Sequence, residues 1–364
     1  MSAFSQPVAP ASVPRPLQLA LFFVGCLWLL ASTRAASFLT QGVFFFLNFP
    51  ELESLVEHLL LLLLLLCGFS LLSWIATRIG NLRVVNALPR RSTARQEWLR
   101  GAALGWAMLL IAVIPMMLAG DLHPAFWIEP RAWMLALISL LTLAVSTLTL
   151  EIAFRGFLFT RLIAAIHPVA ATALLATLYA VVFSYRDNAT LWSMIVTLLM
   201  GILLSIAYLR THALWLGWGL HFAWSTAMGL IFGLPVAGNA TFSRIVAANV
   251  SGRDWFTGGA YGPEGALLTL FVVLAAIPVV HHITRNYAWD YTHPPIVAAG
   301  YPMDIAPPAA HTAMEAAAAQ APLVQILGAT STSVSTLPVI EEHLRGAANS
   351  PGSSGSSTDS GEQI

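Results

Sequence analysis

The chain has 364 residues, of which 57% are hydrophobic and only 9% charged, whereas soluble domains are about 25% charged. With a mean hydropathy of +0.75, this excludes a soluble globular enzyme and points to a polytopic membrane protein. Seventeen basic residues, all of them arginine, balance seventeen acidic ones, so no net charge marks nucleic acid as a partner.

A hydrocarbon core about 30 Å thick takes about 20 apolar residues at 1.5 Å each. Residues 1–17 read as an N-terminal cytoplasmic segment, followed by spans at about 18–39 and 55–76 and an Arg-rich loop that completes a region 18–99. Arg15 and the small-residue stretch Ala31 to Ser37 give the first span the look of a signal peptide, but it is read as a retained span. Further spans fall at about 101–119, 132–158, 169–185, 191–209, 213–233 and 265–283, making 100–283 one membrane domain. Their length and their Leu and Ala content predict helices, so the fold class is an all-α membrane bundle of about eight helices. Cys26 and Cys67 lie inside apolar runs, where a thiol packs and no disulfide framework is read.

Arginine in short loops orients the bundle. Arg78, Arg83, Arg90, Arg91, Arg95 and Arg100 follow the second span, while the next loop offers Arg131 against Asp121 and Glu129. The Arg-rich loop is therefore predicted to be cytoplasmic, as are both termini, in a plasma (inner) membrane. Residues 284–364 are rich in Ala, Pro, Ser and Gly and predict a disordered tail with at most a short helix over Met314 to Gln320.

Ionisable groups inside spans cost about 2.5–3.5 kcal/mol each on insertion scales, so each needs a partner or a purpose. Glu151 and Arg155 are four residues apart and share one helix face. His221 lies in the seventh span with Ser225 one turn on. Counted from the Arg-rich side, Glu151 is about 15 Å deep and His221 about 12 Å. The four side chains are thus expected to share a buried polar pocket opening to the cytoplasm, unless Glu151 and Arg155 form only a structural ion pair.

The stretch Glu151 to Phe159 resembles the first signature of the CPBP family, the intramembrane proteases that include CAAX-processing enzymes, whose usual form is Glu-Glu-x-x-x-Arg. Gly219 to Ser225 is similar to the later signature, His followed four positions on by Asn, and the stretches Gly233–Gly238 and Trp255–Glu264 resemble bacterial members. In that family two glutamates and a His on the following span are thought to activate water, directly or with a metal, while the later His and Asn stabilise the oxyanion. The resemblance carries catalytic roles to Glu151, Arg155, His221 and, at the Asn position, Ser225. It also shows departures, because Leu150 stands at the first Glu and Phe183 at the middle His. One carboxylate beside an arginine makes a weak base. Glu151 and His221 fall short of the three protein ligands of a catalytic zinc, so no cofactor is predicted.

Elsewhere the polar and aromatic residues have plain readings. His58 beside Glu57 reads as a headgroup-region residue far from Glu151. His167, His212, His281 and His282 sit at span ends, and Trp192, Trp215, Trp218 and Trp224 read as interfacial or lipid-facing indoles. The Gly258 to Gly265 loop reads as a tight turn entering the last span.

The resulting expectation is a weakly active or non-proteolytic member of the family that binds a membrane-embedded or prenylated peptide in its cavity. The alternatives are an active endopeptidase using Glu151 and His221, and a small transporter or channel.

Overall fold

The computed structural model describes residues 14–47, 49–80, 87–127, 129–240 and 245–285. The first thirteen residues, Arg83, and the tail beyond Arg285 with its expected short helix lie outside the described residues.

The apolar runs fold into helices because lipid offers backbone amides no partner, and a helix closes those hydrogen bonds within itself. They are α1 (Arg15–Phe44), α2 (Pro50–Gly80), α3 (Ala94–Leu118), α4 (Pro130–Glu151), α5 (Phe157–Ile166), α6 (Pro168–Ser184), α7 (Leu191–Thr211), α8 (Trp215–Thr226), the short α9 (Asp254–Thr257) and α10 (Leu267–Ile283). Wider, π-helical turns over Ile152–Gly156 and Ala227–Ile231 join α4 to α5 and prolong α8. All eight predicted spans fall on these helices. Five helical stretches, α1, α2, α3, the continuous 130–166 and α7, are long and apolar enough to cross a membrane; α6 and α10 are shorter, with 17 residues each. The chain is an all-α polytopic membrane bundle.

Glycine sets the closest helix contact. A Cβ on Gly101 or Gly105 of α3 would lie 2.1 or 2.3 Å from the carbonyl oxygens of Leu216 and Leu220 in α8. One on Gly219 would lie 2.2 Å from Trp98 O. The two backbones therefore touch, as small residues allow where lipid removes the usual hydrophobic drive for association. Around this contact one core gathers Met108, Leu109 and Ala112 of α3, Leu203 and Leu204 of α7, Leu220 and Trp224 of α8, and Val273 of α10. A second joins α1, α2, α5 and α6 through Phe22, Leu65, Phe69, Leu158 and Leu175.

Hydrogen bonds define two ends. At the Arg-rich end Arg91 donates to Thr211 O at 3.1 Å and pairs with the buried Glu97, while Trp215 Nε1 donates to Pro89 O at 3.0 Å. At the other end β1 (Leu122–Phe126) pairs antiparallel with β2 (Val246–Val250), Leu122 opposite Val250. There Arg131 also reaches Glu51 at 3.1 Å, and Gly238 N donates to Tyr261 O at 3.0 Å. The strand pair was not predicted. Its strands are five residues long and distant in sequence, and β1 carries Pro124, which a two-stranded edge tolerates.

Candidate functional site

Glu151 closes α4, and the wider turn that follows carries Arg155. Such π-turns are rare and concentrate at functional positions. Glu151 Oε1 accepts from Arg155 Nη1 at 3.3 Å and meets His221 Nδ1 at 2.9 Å. A carboxylate only accepts, so Nδ1 carries the proton and Nε2 is left as the ring's other hydrogen-bonding atom. Arg155 also donates from Nη2 to Gly201 O at 3.3 Å and lays its guanidinium 4.6 Å from the Tyr179 ring centre. Glu151, Arg155 and His221 are 0%, 2% and 7% exposed. The depth arithmetic thus placed Glu151 and His221 at the same level, and the α3–α8 glycine contact fixes the helix that delivers the imidazole. Glu151 Oε2 is buried with no hydrogen-bond partner among the described residues, and a Cβ on Gly217 would lie 3.4 Å from it.

Beside this triad is a cavity of about 500 Å³, within the size range of small-ligand sites. His221 and Ser225 line it, but Glu151 and Arg155 do not; they sit behind the imidazole. Leu150 and Phe183 line it as well, so all three positions at which the sequence departs from the family signatures, Leu150, Phe183 and Ser225, border the cavity. The expected single pocket therefore resolves into a closed ion pair and an adjoining cavity. From His221 the cavity runs toward Arg186, Asn239 and Glu264, away from the end at which Arg91 meets Thr211. His58 also lines this cavity, donating Nδ1–H to Ser54 O at 2.7 Å.

Sequence reasoning missed Glu264. Gly258 at φ 84° and Gly262 at φ 98° fold the chain so tightly that a Cβ on Gly258 would lie 1.8 Å from Gly262 O. Only glycine adopts such a path freely. The turn drives Glu264 inward, where its Oε1 accepts from Trp224 Nε1 at 2.9 Å and its Oε2 from Ala237 N at 2.8 Å. Burial pushes this loop carboxyl above the usual carboxylate range, against the pull of those two donors. Trp224 is fully buried rather than lipid-facing, since its N–H is needed inside. A glycine-flanked glutamate before an apolar run was the available signal, but a turn alone does not tell which way its side chain points.

Among the described residues no three His, Cys, Asp or Glu side chains are grouped to hold a metal ion. Glu151 and His221 alone do not fit a catalytic zinc, which usually takes three protein ligands.

Fold and site together define a polytopic membrane protein with a buried acid–imidazole pair whose imidazole faces an internal cavity. Residues 132–227 match the family model described as type II CAAX prenyl endopeptidase Rce1-like. That stretch, which includes Glu151, Arg155, Phe183, His221 and Ser225, is thus similar to the CAAX proteases (CPBP family). No curated protein and no solved structure matches the chain.

Proposed function

We propose that this membrane protein is a non-proteolytic or weakly active family member that holds a membrane-embedded or lipidated peptide in its cavity. One observation carries the reading: the cavity wall presents Leu150 and Phe183, while the signature carboxylate Glu151 is tied to Arg155 behind it. General-base catalysis needs a carboxylate or imidazole within hydrogen-bond reach of the attacking water. An ion-paired glutamate outside the cavity is poorly placed for that, whereas an apolar wall suits an acyl, prenyl or apolar peptide chain. The arginine count further assigns the Arg-rich end and both termini to the cytoplasm of a plasma membrane, with the cavity running toward the opposite face.

Purified protein incubated with prenylated and transmembrane peptides tests this. Binding without cleavage is expected. The rival reading is favoured by the 2.9 Å contact between Glu151 and His221, which is an acid–imidazole pair of catalytic type. Turnover by the wild type that disappears in Glu151→Gln would establish an active protease and remove the proposal. The double variant Leu150→Glu with Phe183→His is expected to gain cleavage, since both positions already face the cavity.

A further inference from the structure

Two carboxylates line the cavity. Glu57 binds the Ser37 hydroxyl at its α1–α2 wall, and Glu264 sits beside the helix that carries His221. Glu264 differs from the other buried acids in how it is held. Glu97 and Glu151 each have an arginine, whereas Glu264 has no ion pair among the described residues. Its two oxygens are fixed by an indole N–H and a backbone N–H, both neutral donors, which orient the carboxylate without cancelling its charge. Arg186 lines the same cavity and acts on Glu264 through space, but it makes no ion pair with it and lays its guanidinium over Phe183, 5.6 Å from the ring centre. His221 spends its Nδ1 proton on Glu151.

Burial without an ion pair favours the neutral form of a carboxyl, and a ligand that brings a positive charge favours the carboxylate in its place. The remaining polar groups on the nearby wall, Ser225 and Asn239, are neutral. We infer that Glu264 is the cation-recognition group of this cavity and that its ligand is an apolar chain bearing a positive charge, such as a hydrophobic peptide with a free amino terminus. The inference rests on the binding reading above and adds the class of ligand. A purely structural Glu264 would pin the Gly258–Gly265 loop to α8 and be indifferent to ligand charge.

The full-length protein in lipid nanodiscs separates these roles. Two probes are used, a ten-residue Leu/Ala peptide with a C-terminal dye and a free amino terminus, and the same peptide acetylated; binding is followed by fluorescence anisotropy. A hydrogen bond to a charged group is strong enough that wild type is expected to prefer the amine form by about tenfold or more. Glu264→Gln is expected to bring that ratio close to one while leaving the affinity for the acetylated peptide within about threefold. Glu264→Asp, which keeps the charge, is expected to retain a preference. An equal affinity of wild type for both peptides, which needs no variant to fold, overturns the inference and leaves the binding reading standing. An unchanged ratio in Glu264→Gln overturns it likewise. Failure of wild type to bind either peptide removes the binding reading and the inference with it.

Discussion

Each member of the triad formed by Glu151, Arg155 and His221 depends on the others. Removing one partner of a buried ion pair leaves an uncompensated charge, which costs about 3–5 kcal/mol. Arg155→Ala is therefore expected to lower stability by about that amount, read as a drop in thermal unfolding temperature in detergent. Leu150→Ala, on the cavity wall, deletes apolar contacts only and is expected to cost less, because the site already borders open space. These three residues were legible in the sequence for simple reasons. Four-residue spacing puts Glu151 and Arg155 on one face, and counting 1.5 Å per residue from the span ends brings His221 to the same depth. Ser225 followed from His221 by one helical turn. Glu264 was not legible, since its place depends on the positive φ of Gly258 and Gly262, and so on a path set by tertiary contacts with Pro235 and Ala237.

Among the elements, α3 and α8 carry the strongest constraint. Their backbones meet at Gly101, Gly105 and Gly219, so a larger side chain at any of these has nowhere to go. Gly105→Leu is expected to separate the helices and cost at least about 1–3 kcal/mol, the usual range for overpacking. Its signature would be loss of folded protein by size-exclusion fluorescence, whereas Gly42→Leu on α1, with nothing within 4 Å, is expected to be silent. Helix existence was readable from run length, because twenty apolar residues in lipid have few alternatives to a helix. Helix contacts were not, since glycine in an apolar run marks a close approach without naming the partner. The paired strands β1 and β2 were invisible for a related reason, being short and far apart in the chain.

For the molecule as a whole, the two ends differ in chemistry. One gathers Arg91, Glu97, Arg210 and Thr284; the other holds the strand pair and the loop with Glu264. Arginine retention on the cytoplasmic side predicts the orientation. On a background with Cys26 and Cys67 replaced by serine, a cysteine at Asp187 is expected to react with a membrane-impermeant maleimide from outside intact cells, and one at Arg90 only after lysis. The reverse pattern overturns the orientation, though not the fold.

The stretch that carries the family match does not enclose the cavity by itself. Leu29, Leu30 and Thr33 of α1 and Leu61 and Leu65 of α2 form part of its lining, all upstream of residue 132. Two chains with identical signatures can thus admit different guests, because the mould is shaped in part by helices on which the signature is silent. Exchanging α1 and α2 between such relatives would transfer preference for chain length and branching while the polar triad stays untouched.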